Sequence, residues 1–91
     1  MEQGRIYSVE VLEMAMQAAA TLGYRIREDA LGGFPGGACQ IKGQKWLFVD
    51  PALCVRERLR LVLDALAADP NAMSLDLPSI LINVIQGMRA A

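Results

Sequence analysis

Few side chains in this chain could carry chemistry, and one type is missing: it has no histidine. That removes Ser-His-Asp and Cys-His nucleophilic pairs, the HExxH zinc site and imidazole acid–base catalysis. Two cysteines remain, Cys39 and Cys54. A cysteine nucleophile needs a base or a helix N-terminus to lower its thiol pKa, so Cys39 is assigned to core packing. Two thiolates without other ligands are too few for a structural zinc site. No catalytic residue, metal site or cofactor is expected. Asp50 and Asp64 are the carboxylates a hydrolase-like remnant would use. Arg25, Arg27, Gly36 and Gly37 are the candidates for a small anion or ligand, with the glycine loop of residues 32–37 as its cradle. A phosphate loop needs its glycines to run into a helix N-terminus, where free amides face the anion. Here they run into a strand and no Lys-Ser/Thr pair follows, so nucleotide binding is set aside, and the default for the two arginines is a solvated strand face.

These residues must be positioned by local structure. Ser8 is an N-cap, Gly23 a stop, and the segment between them reads as a helix with two apolar stripes. Val9, Leu12, Met16, Ala19 and Ala20 form the stronger stripe; Val11, Ala15, Ala18 and Leu22 form a weaker one. The helix is expected to be buried between the sheet and another helix; the alternative is that one stripe is an oligomer surface. Tyr24-Arg25-Ile26-Arg27-Glu28 alternates apolar and charged residues, as a strand with one wet face does. Leu31 and Phe34 in the following loop are expected to cap an edge of the core. Residues 37–50 read as a hairpin turning at Gly43-Gln44. That turn sets Ile41 opposite Trp46 and Cys39 opposite Phe48. Cys39, Ile41, Trp46 and Phe48 then share one face, taken as the core face. Leu47 and Val49 lie on the other and need cover. Cys54 stands where a capping box has Ser, with Glu57 three positions on. Val55 to Ala68 is the clearest helix, with Val55, Leu59, Val62, Leu63 and Leu66 as its buried stripe. Asp69-Pro70-Asn71 ends it. Pro78 opens a last, strongly apolar helix.

The expected architecture is a single α+β domain over residues 1–91: an N-terminal helix, a three-stranded antiparallel sheet with a meander as default order, and two C-terminal helices. Hydrophobic residues make up 54% of the chain, which leaves some of them exposed on so small a domain. Homodimerisation or another protein partner is the expected cover, with Leu47, Val49, Ile82, Ile85 and Met88 as interface candidates. The net charge of -1 lacks the basic excess that nucleic-acid binding requires. The first residues, Met1-Glu2-Gln3-Gly4-Arg5, carry an early acid and no signal-peptide pattern. No stretch approaches the ~20 apolar residues of a membrane span. A cytoplasmic protein with reduced thiols is therefore expected.

The run GYRIR…GG…GGACQIKGQKWLFVD…RERLRLVLDALAADP, over residues 22–70, resembles a family of small uncharacterised bacterial proteins. It implies no activity. The order of strand, glycine turn, strand and arginine-led helix is also similar to the core of the ImmA/IrrE-type metallopeptidases. Where that family carries HExxH, this chain has Val62-Leu63-Asp64-Ala65-Leu66-Ala67, so the resemblance implies a non-catalytic relative. The expected function is a non-enzymatic interaction or structural module that forms homo-oligomers. The alternatives are a catalytically degenerate metallopeptidase-like protein or a small anion binder.

Overall fold

The computed structural model describes residues 8–30, 32 and 36–90. In chain order these form α1 (Val9–Thr21), β1 (Arg25–Arg27), β2 (Gly37–Ile41), β3 (Gln44–Phe48), α2 (Val55–Ala68), a 3-10 turn (Ala72–Ser74) and α3 (Ser79–Ala90). The expectations for Leu31, Phe34 and the first seven residues lie outside the described residues. The class is α+β, with α1 and α2 packed on the sheet and on each other, and α3 packed on α2.

The helices end where their local chemistry dictates. The Ser8 hydroxyl accepts from the Val11 N–H at 3.1 Å, satisfying one of the free amides of the first turn. Gly23 follows the last turn with φ +100°, the left-handed stop that glycine adopts without steric cost. α2 buries Leu59, Val62, Leu63, Ala65 and Leu66. The Pro78 carbonyl accepts from the Leu81 and Ile82 N–H groups and starts α3, which buries Leu81 and Ile85. In α1 the weaker stripe goes inside: Val11, Ala15 and Ala18 are buried along with Leu12 and Ala19, while Val9 is 53% exposed. Alanines let α1 approach α2 closely; the small-residue stripe is buried together with Leu12 and Ala19, and only Val9 and Ala20 of the other stripe stay exposed.

The sheet corrects the expected all-antiparallel meander. Its order is β1-β3-β2. β2 and β3 are antiparallel, but β1 runs parallel to β3, pairing Arg25 with Trp46, Ile26 with Leu47 and Arg27 with Phe48. A meander would set β1 beside β2. Instead β2 starts two strands away from the end of β1, with β3 between them; residues 28–36 must span that distance. Their reach, roughly 30 Å if extended, comfortably covers two strand spacings of about 4.8 Å each. β3, whose Leu47 is fully buried and which leads into the equally buried Val49, then folds back into the gap.

The turn is also corrected. Ile41 faces Gln44 and Cys39 faces Trp46, so the two turn residues are Lys42 and Gly43, with φ +50° and +82°. Positive φ at both positions is a type I′ turn, whose twist matches a hairpin. The pairing moves by two positions from the expected one. Because strand side chains alternate with period two, the same residues still share a face: Cys39, Ile41, Trp46 and Phe48 on one side, Ala38, Gln40, Lys45 and Leu47 on the other.

The packed face, however, is the second one. Leu47 and Val49 join Leu59, Val62, Leu66, Leu81 and Ile85 in one core cluster, all fully buried. Trp46 and Phe48 are half-buried, and Cys39 and Ile41 are exposed. Cys39 is therefore not a core residue. The reason lies in β1. Its register sets Arg25 beside Trp46 and Arg27 beside Phe48. Packing that row on the helices would strip water from two guanidinium groups.

Candidate functional site

The candidate site is the face of the sheet turned away from the helices. β3 supplies Trp46 and Phe48, whose rings stack with centroids 5.9 Å apart and planes 15° from parallel. On the β1 side, the Arg25 guanidinium carbon lies 5.7 Å from the Trp46 ring centre, close enough for cation–π attraction. Arg27 turns to Asp29, with its Nη2 at 2.6 Å and its Nε at 2.9 Å from the same Oδ2. On the β2 side, Cys39 sits beside Trp46 and Gly37 beside Phe48. Ile41, at the turn end of that strand, is 49% exposed.

The sequence candidates for anion binding are thus only partly brought together. Arg25, Arg27 and Gly37 share this face, but β3 lies between the arginines and the glycine, a separation of about 10 Å at sheet spacing. Gly36 and Gly37 have φ +79° and +111°. A Cβ added at Gly37 would meet nothing within 4 Å, so the residue serves the backbone path and forms no cradle. The face offers an aromatic platform with a guanidinium edge, not a converging anion pocket.

The interface candidates fall inside or against the core. Leu47, Val49 and Ile85 are fully buried, and Ile82 and Met88 are half-buried against the same cluster. Helix α2 and its neighbours supply the cover that Leu47 and Val49 needed, so these two residues offer a partner no surface.

The carboxylates are scattered. Asp50 Oδ1 accepts from the Ala52 N–H at 2.9 Å, a local turn contact. Asp64 lies 3.8 Å from Arg60 Nε with its side chain 57% exposed. In the stretch where the metallopeptidase resemblance places zinc ligands, Val62, Leu63, Ala65 and Leu66 point into the core. Among the described residues no three His, Cys, Asp or Glu side chains gather where a metal could bind. The donor set does not fit zinc.

A polar cluster on the inner side went unread in the sequence. Asp69, 6% exposed, accepts from Lys45 Nζ at 3.1 Å, from the Tyr24 hydroxyl at 3.3 Å and from the Asn71 N–H at 2.8 Å. Lys45 Nζ also sits 4.7 Å from the Tyr24 ring centre. Burial alone pushes the Asp69 carboxyl up. The Asn71 N–H and the Lys45 ammonium outweigh it and hold the group below the ordinary carboxylate range. Burial, followed by the Asp69 charge, pushes the Tyr24 phenol up. Arg89 closes the other side, donating to the Ala67 and Asp69 carbonyls at 2.9 and 2.5 Å. A cation at a helix C-terminus satisfies carbonyls that have no partner within the helix. The cluster ties β1, β3, α2 and α3 together. Asp69-Pro70-Asn71 signalled only a helix stop, because the partners lie 45 and 24 positions away. Compared with known protein families, curated proteins and solved structures, the chain gives no match.

Proposed function

We propose that this chain is a non-enzymatic interaction module that associates with a second copy of itself through the open face of its sheet. The observation behind this is the Trp46–Phe48 stack, flanked by exposed Cys39 and Ile41, on the face away from the core. Aromatic side chains at the centre of a patch with a charged edge are what interfaces concentrate. The charges also favour self-association. Arg25 makes no ion pair among the described residues, while Asp29 on the same edge is half exposed. A two-fold partner can bring the Asp29 of one copy to the Arg25 of the other.

A cytoplasmic setting belongs to the same proposal. Cys39 and Cys54 are both exposed and unbridged, a state that a reducing compartment maintains. No helix among the described residues is long and apolar enough to cross a membrane. A metallopeptidase-like ancestry is compatible with this reading and adds no chemistry to it. Small-anion binding at Arg25, Arg27, Gly36 and Gly37 has less support, because Arg27 already holds Asp29.

Light scattering across a concentration series tests the proposal. The expected result is a dimer that becomes a monomer in Trp46→Ala with its melting transition retained. A clean monomer at millimolar concentration overturns it.

A further inference from the structure

A second surface, separate from the open face, lies along the free edge of β1. There a groove of about 590 Å³ runs between α1 and the strand. Its α1 wall is the stronger apolar stripe, Val9, Leu12, Met16 and Ala20. Its other wall is Ile26 and Glu28, and Arg58 of α2 reaches in. We infer that this groove takes an extended segment of a partner protein, which adds to β1 as a fourth strand, places alternate apolar side chains against Val9 and Met16, and sets one carboxylate on Arg58.

Three observations select that occupant. The first is the strand edge. Val49 N–H donates to the Arg27 carbonyl at 2.8 Å, so the Arg27 backbone faces β3. By alternation, Ile26 and Glu28 direct their N–H and C=O groups to the open side. Only another extended backbone matches such a row, and recognition by strand addition combines that ladder with pockets for alternate side chains. The second is the wall of α1, which offers a run of apolar contacts parallel to the edge, with Val9 53% exposed. The third is charge. Arg58 Nε is buried without a hydrogen-bond partner, a group that is costly to leave unsatisfied and that a carboxylate satisfies well. Glu13 and Glu28 also line the groove and disfavour a second acid. The preferred segment is therefore apolar at alternate positions with a single Asp or Glu.

A display library of random nonapeptides, selected on the full chain, tests this. The expected outcome is enrichment of alternating apolar sequences with one acid. A synthetic copy of the enriched peptide then binds, weakens at least about tenfold against Arg58→Gln, weakens against Val9→Lys, and is lost when its alternate amides are N-methylated. Melting curves of both variants confirm that they fold. The inference is overturned if no peptide is enriched over an unrelated protein, or if binding survives both N-methylation and Arg58→Gln. A concentration-dependent dimer abolished by Val9→Lys and not by Trp46→Ala also overturns it, by giving the groove to a second copy.

Discussion

Strand β3 and the residue that follows it carry two apolar pairs on opposite faces. Leu47 and Val49 are fully buried, while Trp46 and Phe48 remain half-exposed. By hydrophobic area alone the aromatic pair has more to gain from burial. Its neighbours decide otherwise. The β1 residues beside the aromatics are Arg25 and Arg27, and the residue beside Leu47 is Ile26. The inner and outer sides of a strand are thus assigned by the strand next to it, because two charged side chains cost more to dehydrate than two rings cost to expose.

The sharpest way to break this contrast is to truncate each side. Leu47→Ala is expected to cost about 2–5 kcal/mol through the cavity it leaves, a large share of the ~5–15 kcal/mol that holds a domain together. Trp46→Ala is expected to cost about 1–2 kcal/mol, the loss of one ring contact and one exposed cation–π pair. Urea titrations of the two variants check it, and equal losses would mean that the two faces are not distinct.

The inner side also has a polar anchor, since Lys45 shares its face with Leu47 and holds Asp69. Asp69→Asn is expected to cost about 1–3 kcal/mol at neutral pH. The sign of its pH dependence follows from the lowered carboxyl. The contribution is fully present above the unfolded value of about 4 and is lost as pH falls through the folded value. Tyr24 acts at the other end. Its raised phenol gives stability present below about pH 10 and lost as pH rises through the folded value. Melting temperatures across pH should show Asp69→Asn flattening the acid limb and, by removing the charge that helps raise the Tyr24 phenol, softening the alkaline one.

The smallest effect lies at the entry to α2, away from both faces. Cys54 is an N-cap whose side chain makes no capping hydrogen bond. Its thiol instead lies 3.3 Å from Glu57 Oε1. Cys54→Ser supplies a competent acceptor and is expected to raise stability by up to ~1 kcal/mol, seen as a higher melting temperature. A lower one would show that the thiol contact matters more than the cap.

What the sequence disclosed follows the range of the forces involved. The bounds Val55–Ala68 and the caps Ser8 and Gly23 were legible because each depends on neighbours within a turn. The membership of each sheet face was legible because period two is local, and it survived a wrong turn assignment. Which face packs was not legible, since it hangs on a pairing between Arg25 and Trp46 that no local pattern announces. The turn was not legible for a related reason: Gly43 suits the first position of a type II′ turn, whereas Lys42 at φ +50° occupies a region that lysine seldom adopts. In the candidate site, the exposure of Arg25 and Arg27 is legible in the alternation of residues 24–28, but the aromatic platform beside them is not, because the same alternation in β3 fits either face as the core. That α1 has two apolar stripes was legible, but not which of them stays open: the strand edge that makes a groove beside Val9 and Met16 exists only once β1 has paired.

The central position of the last strand also orders the birth of the sheet. β1 leaves the ribosome about twenty residues before Trp46, its neighbour in the finished sheet, and at roughly 5–20 residues per second it waits a second or more. The β2–β3 hairpin closes locally within about 1–10 μs of emerging, so docking of β1 is the slow, long-range step. During that wait the nascent strand displays Arg25 and Arg27 on its one wet side, and charges on an unpaired edge are what keep neighbouring chains from adding to it. The arginines that fix which way the finished sheet faces would thus also guard it while it is being made.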